Sequence, residues 1–339
     1  MNAQFATNSI PASPVVMNAE SGAQPGSPEK QRDTQLYGGW GESLWPPRLA
    51  LLAGGIATGL RPLTNSTPKS LIEVAGEPFL AHQLRLIHAG GIREVVLCVG
   101  FLGDKIEAFA GDGSAFGLSI AYSYDGHLPL GTGGALHAAL PLLGRRFLVM
   151  YGDSWLTEPI EPIWRSFLDS GKPALMTAFR NQNRWGASNV EFRKGAVVRY
   201  DKRHPSPAMH HIDYGLDALD ASVLAHWSVP IFDLGDVWSG LAHYSLLAGY
   251  ETADRFYEIG SLPGLREAEA VIAASPRARR GLSFVRGFRL PQQETEELAC
   301  APGVVDGYAE SEASVISGPH IAVPRRANRE RKNPEEARP

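Results

Sequence analysis

The segment Arg48–Lys69, RLALLAGGIATGLRPLTNSTPK, places a glycine pair and two cations in one loop after an apolar run. Gly54 and Gly55 lack a Cβ, so the backbone there can come close to a flat or anionic ligand. Arg61 and Lys69 bring positive charge to the same loop. A base and a phosphate chain held side by side would use both features, whereas a structural loop has little need of two cations. A second glycine cluster, Leu130-Gly131-Thr132-Gly133-Gly134-Ala135, opens a helix predicted to run through Leu140. It should offer exposed N–H groups and close backbone approach. Asp153, in Tyr151-Gly152-Asp153-Ser154, ends a predicted strand. Alone, such an aspartate reads as a turn or helix cap. Downstream of the glycine loop it reads as a Mg²⁺ ligand, because Mg²⁺ takes one or two carboxylates together with phosphate oxygens and water.

Two familiar phosphate loops are absent. Gly54 and Gly59 have the spacing of the two P-loop glycines, but Leu60-Arg61 stands where that loop needs Lys and Ser or Thr. Gly54 and Gly55 are adjacent, which breaks the G-x-G-x-x-G pattern.

The elements that must position these residues follow from periodicity. Leu49–Leu52 reads as a buried strand and Leu71–Val74 as a short one. Gly76-Glu77-Pro78 starts a helix with Pro78 in its first turn, Leu80, Leu84 and Ile87 form its buried stripe, and Gly90-Gly91 stop it. Glu94–Val99, Ser119–Tyr124 and Phe147–Tyr151 are predicted strands, with a short helix over Lys105–Ala110. This alternation predicts an α/β, Rossmann-like fold whose mixed, mainly parallel sheet carries helices on both faces. Ligands bind beyond the carboxyl ends of such strands, where the candidate residues fall.

With 339 residues, 44% apolar and 20% charged, the composition is ordinary for a globular chain. A net charge of -4 gives no electrostatic case for nucleic acid or a membrane surface as the main partner. No apolar run approaches the ~20 residues of a membrane span. Cys98 and Cys300 are far apart, and Cys98 lies inside Val95-Val96-Leu97-Cys98-Val99, so it reads as a core thiol. Without a disulfide framework, a reducing cytoplasm is expected. Residues 1–46 are polar, rich in Ser, Pro and Gly, and lack the apolar core of a signal peptide, so they read as a disordered lead. Residues 276–339 read as a weakly ordered, Arg-rich tail, which leaves 47–275 as the folded unit. His204, His210 and His211 lie near one another, but no His/Cys/Asp spacing resembles a zinc centre.

Several segments, in order along the chain, resemble the motifs of the sugar-1-phosphate nucleotidyltransferases. The first is Leu52-Ala53-Gly54-Gly55-Ile56-Ala57-Thr58-Gly59-Leu60-Arg61-Pro62-Leu63-Thr64, followed by Pro68-Lys69. Pro129-Leu130-Gly131-Thr132-Gly133-Gly134, Asp153, Asp201-Lys202-Arg203 and Phe256-Tyr257-Glu258-Ile259-Gly260 come after it. Within the family the chain looks most like the mannose-1-phosphate and heptose-1-phosphate guanylyltransferases and the muramate-1-phosphate uridylyltransferases. The resemblance implies the nucleotide-diphospho-sugar transferase fold over about residues 48 to 275. It places Leu52, Ala53, Gly54, Gly55, Gly131, Thr132 and Gly133 at the nucleotide, and Lys69 and Arg61 at the reacting phosphates. Lys202 falls at the sugar phosphate, with Asn189, Glu191 and Gly215 walling the sugar. Asp153 and Glu258 would hold Mg²⁺, Glu258 standing for the family's usual Asp.

The implied reaction joins a nucleoside triphosphate, GTP ahead of UTP, to a hexose or heptose 1-phosphate and releases pyrophosphate. A homo-oligomer is compatible with this reading. Gly59 occupies the place of the family's phosphate-binding Arg. The alternative expectation is therefore a catalytically weakened regulatory or nucleotide-sugar-binding homologue. A glycosyltransferase would want Asp-x-Asp, and Gly152-Asp153-Ser154 does not supply it.

Overall fold

Residues 45–275, apart from 56–59, 62 and 226, are described by a computed structural model. The expectations for residues 1–44, for the Arg-rich tail and for Gly59 lie outside the described residues. The chain divides into two units, 1–288 and 289–339, and every described residue belongs to the first.

The organising strand is β1 (Arg48–Leu52), whose Leu49, Ala50 and Leu51 have no solvent exposure. Leu49 and Leu51 enter one hydrophobic core and Ala50 enters another, so both faces are covered. Such a strand needs apolar residues on both faces rather than alternation, as its sequence has. The other strands are β2 (Glu73–Val74), β3 (Glu77–Pro78), β4 (Glu94–Val99), β5 (Ser119–Tyr124), β6 (Arg146–Tyr151) and β7 (Ser154–Trp155). They continue with β8 (Ala174–Arg180), β9 (Val190–Arg193), β10 (Ala196–Tyr200), β11 (His211–Asp213), β12 (Leu216–Asp220), β13 (Leu247–Thr252) and β14 (Tyr257–Glu258). The helices are α1 (Phe79–Ala89), α2 (Gly103–Ala110), α3 (Gly131–Leu143), α4 (Ile160–Ser170), α5 (Ser222–Ala225), α6 (Leu234–His243) and α7 (Leu262–Ala274).

Ten strands form one mixed sheet in the order β11-β9-β10-β13-β8-β12-β6-β1-β4-β5. Its β6-β1-β4-β5 half is wholly parallel, with Leu51 paired to Met150 on one side and Leu97 on the other. Parallel pairing recurs between β8 and β13, whereas β12 runs antiparallel to both β6 and β8. Parallel character is thus concentrated where the glycine loops emerge. α1, α2, α4 and α7 contribute to the core on one face, and α3, α5 and α6 to the core on the other.

α1 departs from its expected form in one useful way. Leu80, Leu84 and Ile87 are fully buried as predicted, but Phe79, Ala81, His82 and Gln83 are buried too. The helix lies under its neighbours on most sides rather than along one stripe. Pro78 stands just before the first turn, and Gly90 caps the end. His82 Nε2 meets Val74 O at 2.8 Å, and burial, the largest influence, pulls its pKa down. Gln83 donates from Nε2 to the carbonyls of Tyr151 at 3.1 Å and Ser154 at 2.9 Å, which bracket Gly152 and Asp153.

Gly152 closes this junction. Its N–H donates to Leu52 O at 2.9 Å, and a Cβ there would sit 2.7 Å from Leu52 O and 3.0 Å from Ala53 Cα. Both obstacles are backbone, so the strand ends of β1 and β6 touch only because the residue is glycine. Gly152→Ala is therefore expected to lose about 1–3 kcal/mol of stability, read as a shifted midpoint in urea denaturation. Gln83→Leu keeps the volume but strips the donor from two carbonyls, and should lose about 1–2 kcal/mol. An unchanged melting temperature for Gln83→Leu would show that the Asp153 turn does not depend on α1.

Candidate active site

A cavity of about 390 Å³ opens at the carboxyl edge of the parallel half-sheet. Leu52, Ala53, Gly54 and Gly55 form the part of its lining that follows β1, with Gly131 and Thr132 from the start of α3. Lys69 and Asp153 also line it, so eight predicted site residues from four chain segments meet in one place. Their common edge is a product of parallel pairing, which sends every chain out of the sheet at the same end.

Lys69 Nζ bonds Asp153 Oδ2 at 2.6 Å, with both side chains partly screened from water. Asp153 Oδ1 also accepts from the Ser154 hydroxyl at 3.2 Å. β14 lies antiparallel to β7, pairing Glu258 with Ser154, and Ile259 N–H donates to Asp153 O at 3.0 Å. This backbone clasp brings Glu258 beside Asp153 although 104 residues separate them in sequence. Burial first, and then the Asp153 carboxylate, raise the Glu258 pKa, while Lys69 opposes them. Two hard oxygen donors held against mutual repulsion suit a divalent cation, and this donor set fits Mg²⁺ completed by phosphate and water oxygens. Among the described residues no group of three or more His, Cys, Asp or Glu side chains is gathered for a metal.

The second glycine cluster works differently from expectation. The N–H groups of Gly133 and Gly134 are not exposed to a ligand but donate to Phe232 O at 3.1 and 3.3 Å. A Cβ on Gly133 would sit 2.3 Å from the Phe232 ring, and one on Gly131 2.5 Å from Phe232 O. Gly133 therefore makes room for the 230–233 segment rather than lining the cavity. Thr132 likewise turns part of its hydroxyl inward, accepting from Leu234 N–H at 2.9 Å. Gly131 and Thr132 retain their place on the cavity wall. Arg61 is exposed and is not part of that wall.

The expected sugar side adjoins the cavity through Tyr151, which lines it. Lys202 Nζ lies 5.7 Å from the Tyr151 ring centre and 5.8 Å from that of Tyr200, a cation over two aromatic faces. Behind it, Asp217 has no solvent exposure and Asp213 is half-buried, and burial raises the pKa of both, with Lys202 opposing. Asp217 Oδ1 accepts from Thr177 N–H at 3.0 Å. Gly215, at φ +94°, immediately precedes β12 and lies against Tyr151, where a Cβ would lie 3.2 Å from the ring. Asn189 is a framework residue here, accepting from Asp213 N–H at 3.0 Å through its side chain and from Asp201 N–H at 3.0 Å through its carbonyl. Glu191 pairs with Arg193 at 2.5 Å.

Three residues of this region escape motif reading. Tyr151 joins the two sides, Gln83 braces the Asp153 turn from below, and Asp125 lines the cavity at the end of β5. Gln83 left a trace, since a polar residue at i+3 from Leu80 interrupts an otherwise apolar helix face. Cys98 also reaches the cavity lining, and burial pushes its thiol up to about 12, so it behaves as the neutral apolar group expected. Among the described residues no helix is long and apolar enough to cross a membrane.

A family model for nucleotidyl transferases matches residues 50–196. The glucose-1-phosphate thymidylyltransferase of Streptomyces antibioticus is 37% identical over 161 residues, covering 46% of this chain and 45% of the relative. The mannose-1-phosphate guanylyltransferase of Mycobacterium tuberculosis is 46% identical over 104 residues, covering 30% of this chain and 29% of the relative. The chain thus spans less than half the length of these curated relatives, which differ from each other in nucleotide base. A Bacillus anthracis structure assigned as a glucose-1-phosphate thymidylyltransferase has the same fold, with a TM-score of 0.60 at 20% identity, covering 68% of this chain and 98% of that one. Over residues 50–196 the chain matches the nucleotidyl transferase family model, and its ordered motifs are similar to those of the sugar-1-phosphate nucleotidyltransferases among these relatives.

Proposed function

We propose that this protein transfers a nucleotidyl group from a nucleoside triphosphate, GTP ahead of UTP, to a hexose or heptose 1-phosphate. The observation that carries this reading is the shared wall at Tyr151. One side of the residue belongs to the cavity containing Lys69 and Asp153, and its ring lies under Lys202. A nucleotide in the cavity and a sugar phosphate at Lys202 would meet there.

An oxygen of the sugar phosphate attacks the α-phosphorus of the nucleotide. One P–O bond forms while the bond from that phosphorus to the departing pyrophosphate breaks. The attacking oxygen is already ionised at neutral pH, so the side chains need not remove a proton. Their task is to neutralise charge and fix the in-line approach. Lys69 exchanges part of its contact with Asp153 for phosphate oxygens. Lys202 holds the sugar phosphate. Asp153 and Glu258 are the residues that would hold Mg²⁺, and the bound ion supplies Lewis-acid neutralisation of the nucleotide phosphates. The supply of nucleoside triphosphate makes the cytoplasm the natural setting for this chemistry.

Pyrophosphate release, measured across nucleotides and sugar 1-phosphates with Mg²⁺, tests the reaction directly. Asp153→Ala should lower kcat on the order of 10²-fold or more. Lys202→Ala should raise KM for the sugar phosphate about 10- to 100-fold and leave KM for the nucleotide nearly unchanged. Turnover that survives Asp153→Ala intact would refute the assignment of that carboxylate. Gly59→Arg restores the family's cation and should accelerate turnover on the order of 10²-fold. No gain with the correct substrate pair would mean that the chain does not need an arginine there.

A further inference from the structure

β14 is a strand of two residues, and what Glu258 can do depends on which way it faces. Its pairing with β7 sets Tyr257 opposite Trp155 and Glu258 opposite Ser154. Residues directly opposite each other across an antiparallel pair share a face. Glu258 therefore shares a face with Ser154, whose hydroxyl donates to Asp153 Oδ1 at 3.2 Å, and Tyr257 shares one with the buried Trp155. A Cβ on Gly260 would lie 3.5 Å from Lys69 Nζ and 3.7 Å from Glu258 Oε1, so the ammonium and the carboxylate border the same gap. A slip of one residue would exchange the two faces and turn the carboxylate away from Lys69. So short a ladder holds its own register weakly.

Arg255 supplies what the ladder lacks. It stands two residues before Tyr257, and its guanidinium carbon lies 4.8 Å from the Tyr257 ring centre and 4.5 Å from that of Trp185. Its Nη2 pairs with Glu267 of α7 at 2.5 Å. Its Nε is buried without a hydrogen-bond partner, which a weakly hydrated guanidinium tolerates when it is stacked on aromatic rings. Trp185 is a fixed platform. Its N–H donates to Oδ1 of the fully buried Asn181 at 3.0 Å, and its ring centre lies 5.6 Å from that of Phe179. Arg184 also lies 4.6 Å from the Trp185 ring, but it belongs to the same loop and tethers nothing to it. Arg255 thus joins β14, α7 and the loop after β8 at one point.

We propose that Arg255 locks the register of β14 and is thereby a positioning residue for Glu258 in the divalent-ion site. This rests on the reading of Asp153 and Glu258 as the carboxylates that would hold Mg²⁺. With Tyr257 held against Arg255 on one face, Glu258 is left the opposite face, toward Asp153 and Lys69. Phe256 and Ile259, both buried, hold the segment against the core, and Arg255 fixes the rotation of the two residues between them. The ion pair with Glu267 alone would not do this. A lysine could keep that pair, but its ammonium has no plane to stack on the rings.

The experiment titrates the full chain with Mn²⁺, a paramagnetic substitute for Mg²⁺, and follows the free ion by electron paramagnetic resonance. Wild type, Glu258→Gln, Arg255→Lys and the double variant are compared. Arg255→Lys should weaken Mn²⁺ binding about 10- to 100-fold, the usual effect of losing an outer partner of a metal ligand. In the Glu258→Gln background the same substitution should change the affinity less than about twofold, because Arg255 acts through Glu258. Tyr257→Phe keeps the ring and should bind Mn²⁺ as wild type does, whereas Tyr257→Leu should match Arg255→Lys. Unchanged affinity in Arg255→Lys, or equal weakening with and without Glu258, overturns the positioning role and leaves the metal reading intact. If Arg255→Lys does not fold, equal affinities of Tyr257→Phe and Tyr257→Leu overturn it instead. Wild type that binds Mn²⁺ no better than Asp153→Ala overturns the metal reading, and this inference with it.

Discussion

Every functional feature depends on one constraint, the placement of β1 between β4 and β6 in parallel register. Leu51 pairs with Met150 and Leu97 at the same time, so β1, β4 and β6 end on one line. The residues that follow those ends have no choice but to share an edge. Gly152 lets two of the ends touch, and Gln83 ties the resulting turn to α1. The reversed strand β12 completes the arrangement, because it begins at the edge where β6 finishes. That reversal is what sets Gly215 against Tyr151.

On this frame the charges are distributed with a purpose. Lys69, Asp153 and Glu258 form a compact group at the β6 edge, where attraction between the lysine and two carboxylates offsets the repulsion within the acid pair. Lys202 stands across Tyr151 with the carboxylates of Asp213 and Asp217 behind it. In the proposed reaction, two anionic substrates would approach each other between these cations, an arrangement that suits transfer between phosphates.

Glycine illustrates how far pattern alone can be read. Gly54, Gly55 and Gly131 were legible as cavity residues because loops of this composition after a buried strand have few other uses. Gly133 belonged to the same pattern, yet its missing Cβ serves the Phe232 ring, a partner 99 residues away in sequence. The exposed N–H groups expected at the start of α3 are taken up by Phe232 O for the same reason. A local pattern reports that space is needed at a position. It does not report what fills it.

The strands β1, β4, β5 and β6, the two glycine loops, and the identities of Lys69, Asp153 and Lys202 were determined by the sequence itself. Each depends on short-range periodicity or on a motif within a few residues. Only the tertiary structure decided that Tyr151 joins the two halves of the site and that Gln83 and Asp125 belong to it, and it supplied the strand pairing that brings Glu258 to Asp153, two carboxylates the family resemblance had already grouped. These depend on β7–β14 pairing, on the reversal of β12, and on the burial of one helix face. Contacts of that kind join residues far apart in the chain, and nothing in the neighbourhood of either partner encodes the distance between them.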